Sequence, residues 1–497
     1  MDDHNANNAA SATASNPGER GRLIAYGTGE AAFSLVNNGL YGFALLFYTD
    51  AIGISAAYAG LALSISVFWE AITEPVMGFV SDRTRSRFGS RYPWIALGAV
   101  VMAISFYAIW IPPLAIRTDE TFTFAYLAVV NIALRTGMTM FFIPYLALGF
   151  EMVPEYDGRT RLQGVRWICN MAANFAGPAL AWIIFFADTK SPDGSIVKGT
   201  SLIGNYEAMG AAFAISVVLL TMLLLLTCRK TAVDNRHQQL PEESRLLAFW
   251  SSLKPILMDV HARHILGLIF LLVTGMVIFS SLQAYLYVHF MIFSSFEKSV
   301  VHGSTMAAAA IGALLAVPIT RWLDKKGAII FALTLGLVGL AGLALTFLTG
   351  AAARSGVEAI VLFIFFQGLY WLASGIVLPV ATAMIGDAAE LRRLESGQAN
   401  EGGYSAIFSL MWRGATALSL LVAGWLLTAT GVDGQLAAGG GVDSDTVWNL
   451  GALAFGSGAV FYGAAMLWAT RYRLDRHGFD QRRAAAQADD SEPIIVA

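Results

Sequence analysis

Glu70 and Glu74 lie four residues apart inside an apolar run long enough to cross a bilayer. A helix would place both on one face. A carboxylate at mid-membrane costs roughly 2.5–3.5 kcal/mol on insertion scales. Two of them also repel unless a proton or a metal cation lies between them. Pro75 follows at once and removes a backbone donor, which leaves the Ala71 carbonyl without its helical partner. Two acids beside a freed carbonyl form a candidate cation site, with Na+ or H+ as the ion. The competing reading puts both acids at a solvated helix end.

Other polar residues interrupt the apolar runs. Glu30 follows a glycine-rich stretch, with Asn37 and Asn38 two turns on; it either faces a central cavity or is solvated at the helix entry. Arg166, Asn170 and Asn174 recur every four residues and share a face. Arg166 needs an acid or water as partner, and Glu30, Glu70 and Glu74 are the candidates. Arg413 lies deep in an apolar run and calls for a counter-charge across the bundle, such as Glu70 and Glu74. Gln283, Tyr285, Tyr287 and His289 punctuate one run, and Gln367, Tyr370 and Trp371 another. Amides and aromatics of this kind line cavities that take a sugar or an amphiphile head, and equally serve as bundle filler. Arg135 is noted beside Asn131, and Glu151 is expected to pair with Arg159 or Arg161.

The elements that must carry these residues are membrane helices. Of 497 residues, 56% are hydrophobic and 13% charged, against about 25% charged in soluble proteins. Mean hydropathy is +0.59. The runs near 20 residues exclude the alternating pattern of a β-barrel. A net charge of −3 gives no reason to expect nucleic acid as partner. Cys169 and Cys228 read as buried apolar side chains rather than a disulfide. The expected fold is all-α, with twelve transmembrane helices in two six-helix bundles. Residues 1–22 read as a disordered cytoplasmic tail, 23–228 as the first bundle, 229–262 as a cytoplasmic linker, 263–471 as the second bundle and 472–497 as a second tail. The third run is set at 93–113, the eighth at 300–322, the ninth at 328–350 and the tenth at 356–386. Residues 242–259 are compatible with an amphipathic surface helix.

Lys and Arg crowd alternate turns, near Arg83, Arg85, Arg87 and Arg91, and again at Arg321, Lys325 and Lys326. By the positive-inside rule both termini are cytoplasmic. Asp82, Arg83 and Arg87 end the second run, and Asp324 and Lys325 end the eighth, six helices later. These matching acid–base turns are candidate conformational latches; ordinary positive-inside flanking is the alternative.

Several stretches resemble one family. They are Phe47-Tyr48-Thr49-Asp50, the run from Trp69 to Gly78, Arg87-Phe88-Gly89, Pro93-Trp94 and the run from Ile143 to Glu151. Together they resemble the glycoside–pentoside–hexuronide:cation symporters, the melibiose-permease-like family of the major facilitator superfamily. The resemblance implies a two-bundle transporter that couples Na+ or H+ to uptake of a sugar, glycoside or uronide by alternating access. It lands the cation ligands on Glu70 and Glu74 and the helix-five arginine on Arg166. A lysine of the family pattern falls on Arg413, which keeps the charge and changes the geometry. The family's sugar-binding aspartates fall near Ser34 and Phe142, neither of which can do that job. Glu in place of Asp in helix two favours a proton over Na+. A related branch, the sodium-dependent lysophosphatidylcholine symporters, makes a lysolipid or other amphiphile the alternative substrate.

An enzyme or a receptor is the third class. The seven histidines show no metal-ligand spacing, no Ser/His/Asp set is evident, and no sizeable soluble domain is present. The expectation is a non-enzyme without cofactors. It would be a monomer in the cell (inner) membrane, with a small molecule and the lipid bilayer as its partners.

Overall fold

The apolar runs fold into long helices, and a computed structural model of the chain describes residues 17–153, 156–190, 196–234, 256–396, 401–437, 442–472 and 481. The first half comprises α1 (Pro17–Leu46), α2 (Ala56–Arg83), α3 (Tyr92–Trp110), α4 (Glu120–Met152), α5 (Tyr156–Ile184) and α6 (Ile203–Asp234). In the second half come α7 (Val260–Tyr285), a 53-residue helix Ser295–Phe347, then α10 (Val357–Ser396), α11 (Glu401–Thr430) and α12 (Ser444–Thr470). Eleven of these helices are long and apolar enough to span a membrane.

The 53-residue helix would reach roughly 80 Å if straight, more than twice a hydrocarbon core of about 30 Å. It breaks at Asp324, whose φ of 59° and ψ of 171° belong to no helix. Residues 295–323 and 325–347 are therefore separate crossings, α8 and α9, and twelve spans result. The turn between them is a single residue, not the loop set between the eighth and ninth runs.

Other boundaries shift as well. α10 runs ten residues past the expected end, so Asp387, Arg392 and Arg393 sit on the helix. α3 stops at Trp110 because Pro112 and Pro113 supply no backbone donors. α1 begins at Pro17, inside the segment expected to be a tail. α6 extends to Asp234, and α7 starts after Asp259, whose carboxylate accepts from the His261 and Ala262 amides. Most of the surface-helix segment 242–259 lies outside the described residues. A two-stranded ribbon, Thr189–Lys190 with Ile196–Val197, joins α5 to α6.

The first helix of each half ends alike. α1 passes into a π-helical turn at Phe47–Ile52, and α7 into one at Leu286–Phe290. The two turns meet at the end of the molecule opposite the Arg-rich turns. These ends are called here the far end and the basic end.

The halves meet along α2 with α11 and along α5 with α8. At the first crossing, Gly60 faces Gly424. A Cβ on Gly60 would lie 2.6 Å from the Leu420 carbonyl, so only hydrogen fits. Outward faces carry large apolar side chains: Leu314 is 78% exposed and Trp425 64%. A water-facing surface does not keep such a belt, whereas hydrocarbon accepts it.

Candidate functional site

α2 carries Glu70 and Glu74 one turn apart, and the helix continues through Pro75. Glu70 is 1% exposed. Its Oε2 accepts from Arg135 Nη1 on α4 at 3.0 Å and lies 2.7 Å from Arg413 Nη1 on α11. Arg413 also donates from Nε to Glu74 Oε2 at 2.9 Å, and its Nη2 donates to Glu74 Oε1. One guanidinium thus grips both acids, forked on Glu74 and single on Glu70. A lysine could reach both acids only from one nitrogen and could not make this fork. Arg135 Nη2 donates to the Tyr41 hydroxyl at 3.0 Å. Two acids and two arginines balance to zero formal charge, and the pairing offsets the cost of burying each.

A second cluster lies toward the basic end. Arg166 donates to Glu30 Oε2 from Nη2 at 2.6 Å and from Nε at 2.9 Å. Of the three acids offered by the sequence, Glu30 is the one taken. It is 7% exposed, which excludes a solvated position at the helix entry. Asn170 bridges Glu30 Oε1 (3.3 Å) and the Ser34 hydroxyl (2.7 Å). Asn174 donates to Asn170 Oδ1 at 2.9 Å, and Asn38 donates to Asn174 Oδ1. Asn38 therefore joins this chain in the position expected of Asn37, which the cavity lining does not include.

Between the halves lies a cavity of about 380 Å³. The first half contributes Asn38, Tyr41, Asn170 and Asn174, and the second Gln283, Tyr287, His302 and Trp371. Four indoles face it, from Trp167, Trp182, Trp371 and Trp412. Among the described residues its wall holds no Asp, Glu, Lys or Arg. Gln283 and Gln367 both donate to the Tyr287 hydroxyl, the latter at 3.2 Å. Gln367 and Tyr370 stand behind the wall rather than in it, and Tyr370 packs on Tyr462 with ring centroids 4.8 Å apart. Phe142 stacks on Phe33 at 4.1 Å, away from the lining.

At the far end the halves are bonded together. Asp50 Oδ2 meets His289 Nε2 at 2.7 Å, and the Thr49 and Tyr285 hydroxyls lie 2.5 Å apart. Asp433 accepts from the Ala56 amide at 2.9 Å. Lys198 Nζ reaches the Val288 carbonyl at 3.2 Å. Burial pushes that ammonium below its usual range, against the pull of Asp50 and Asp188.

At the basic end, Arg91 is the hub. It meets Asp82 at 2.5 Å, Ser81 Oγ at 2.9 Å and Glu151 Oε1 at 2.9 Å. Glu151 takes Arg91 as a partner, while the side chain of Arg159, one of its two expected partners, lies outside the described residues. Arg83 stacks on Phe79 at 3.9 Å and Arg87 on Phe88 at 4.8 Å. In the second half Lys325 bonds Asp387, while Asp324 supplies the backbone break. Lys326 donates to the Thr470 and Tyr472 carbonyls, at 2.8 and 2.7 Å.

Sequence reasoning gave no role to Arg135 or Tyr41, read Arg91 only as a flanking charge, and did not pair Asp50 with His289. For Arg135 the signal was present, since it is as deep in its apolar run as Arg413. Tyr41 and Asp50 offered no such signal.

A transporter architecture with acids paired across its halves accords with the comparisons. The family model for MFS/sugar transport proteins matches residues 25–476, and the chain belongs to that family. It is thus a multi-pass membrane protein of a transporter family rather than an enzyme. An uncharacterized symporter of Synechocystis is 35% identical over 33% of this chain and 30% of its own length. A putative glycoside/cation symporter of Escherichia coli, YagG, is 29% identical over 41% of this chain and 42% of its own length. The matched stretches thus span less than half of these relatives. The crystal structure of a D-xylose-proton symporter superposes with a TM-score of 0.64, covering 92% of this chain and 98% of that one, at 13% identity. That likeness speaks for the fold alone.

Proposed function

We propose that the protein is a cation-coupled symporter that takes up a neutral sugar or glycoside by alternating access. The observation that carries this reading is the uncharged wall of the central cavity, set beside two buried ion clusters. Amide side chains both donate and accept, which suits hydroxyl groups. Indole faces suit the apolar face of a sugar ring. A uronide carboxylate or a lysolipid phosphate would call for a cation in the wall, and the nearby guanidiniums are committed to Glu30, Glu70 and Glu74. The cavity volume falls at the small end of ligand pockets, about 300–1,000 Å³.

Of Na+ and H+, we assign the proton. Na+ needs a shell of oxygens, and Glu70 Oε2 and both oxygens of Glu74 already face Arg135 and Arg413. A proton needs one carboxylate oxygen, and by cancelling the charge it weakens the guanidinium bonds to that acid. By the positive-inside rule the Arg-rich turns support a cytoplasmic basic end and cytoplasmic termini, in the cell (inner) membrane. On this view the Asp50–His289 and Thr49–Tyr285 contacts hold the outer side shut, and the acid–base turns at Arg91 and Lys325 act as inner latches.

Purified protein in proteoliposomes tests the reading. A panel of labelled monosaccharides, methyl glycosides, glucuronate and lysophosphatidylcholine is offered under an inward proton or Na+ gradient. Concentrative uptake of a neutral sugar or glycoside under the proton gradient is expected. Uptake confined to glucuronate or the lysolipid, or driven only by Na+, would contradict it.

A further inference from the structure

Tyr41 touches both sites. Its ring lines the cavity, and its hydroxyl accepts from Arg135 Nη2 at 3.0 Å. The Arg135 guanidinium carbon lies 5.1 Å from that ring's centroid. From the other side of the same group, Nη1 donates to Glu70 Oε2 at 3.0 Å. Arg135 is 1% exposed, and its Nε has no hydrogen-bond partner. Its head is therefore held by two bonds, one to the cavity wall and one to an acid of the ion cluster. A guanidinium is planar and rigid, so its two Nη groups move together. Glu70 shares its Oε2 with Arg413 of the other half, so a shift of Arg135 is felt across the interface.

We infer that Arg135 is the positioning residue that couples solute occupancy to the ion cluster, with Tyr41 as its contact to the solute. The inference rests on the symport reading above and deepens it. A phenol offers one O–H donor besides the lone pair that Arg135 uses. When a solute oxygen accepts from that O–H, the phenol oxygen becomes a stronger acceptor toward Arg135. The guanidinium then moves toward Tyr41 and away from Glu70. Glu70 is left with Arg413 and open to a proton. Binding in the reverse order acts alike: a proton on Glu70 releases Arg135 toward Tyr41 and orders the solute site. Arg413 bridges both acids and, among the described residues, hydrogen-bonds no side chain of the wall, so Arg135 with Tyr41 is the hydrogen-bonded route from wall to Glu70.

A role confined to charge balance gives a different outcome, which permits a test. 4-Nitrophenyl glycosides (gluco, galacto and xylo) quench indole fluorescence, and four indoles line the cavity. The dissociation constant of the tightest-binding of these probes is measured on full-length protein across pH. In the wild type it should change about tenfold between protonated and deprotonated clusters, within the usual range for coupled sites. Tyr41→Phe keeps every charge and removes the link; Arg135→Lys keeps the charge and removes the fork. Both are expected to cut the pH effect to within about twofold, whatever happens to absolute affinity. Retention of the wild-type pH effect by Tyr41→Phe would overturn the inference, even if Arg135→Lys does not fold. A wild type that binds none of the probes, or binds one without pH dependence, would instead refute the symport reading beneath it.

Discussion

Glu70 Oε2 accepts from two guanidiniums at once, so its neighbours matter more than its own chemistry. Removing one member leaves a buried charge unpaired, at a cost of about 3–5 kcal/mol. Arg413→Ala is therefore expected to lower the thermal midpoint sharply in a thiol-dye melt. The double variant that adds Glu74→Gln leaves Glu70 paired with Arg135 and should recover much of the loss. An Arg413→Ala protein that melts like the wild type would show that the bridge holds nothing. The acids and Arg413 were legible in the sequence because charge inside an apolar run is rare and must be answered. Their choice of partner was not. Arg166 had three acids to choose from, and only the fold brings Glu30 on α1 to within 2.6 Å of it. Arg135 meets Glu70 and Tyr41 across separations of 65 and 94 residues, which no local spacing encodes.

At the scale of elements, hydrophobicity sets depth but not direction. α3 and α7 are apolar nearly all round, so the face turned inward is decided by small residues and shape. That is why the twelve crossings were readable while Gln367 and Tyr370 fell behind the cavity wall. Glycine at the α2–α11 crossing is one such determinant. Gly60→Leu should push the halves apart and abolish uptake. Gly368→Ala on α10, where a Cβ meets nothing within 4 Å, should leave uptake unchanged and gain a few tenths to about 1 kcal/mol in stability. Equal uptake by the Gly60 and Gly368 variants would refute the close packing of the halves. The Asp324 break eluded the sequence for another reason: its φ of 59° with ψ of 171° is a conformation essentially confined to glycine, so an aspartate there does not announce it.

For the whole molecule, a cation-coupled carrier must link one cavity, two ion clusters and two gates. The bonded far end, the uncharged wall and the balanced acids fit one cycle, in which a proton loosens the α2–α4–α11 cluster while the solute fills the wall. The family gives the architecture, and the departures at Ser34, Phe142 and Arg413 direct attention to Tyr41 and Arg135. The most direct check is a paired flux measurement in proteoliposomes with no imposed gradient, adding the transported sugar and following external pH. The wild type should alkalinise the medium as sugar enters, and Glu70→Gln should not. Sugar entry with no proton movement, or wild-type alkalinisation by Glu70→Gln, would contradict the account.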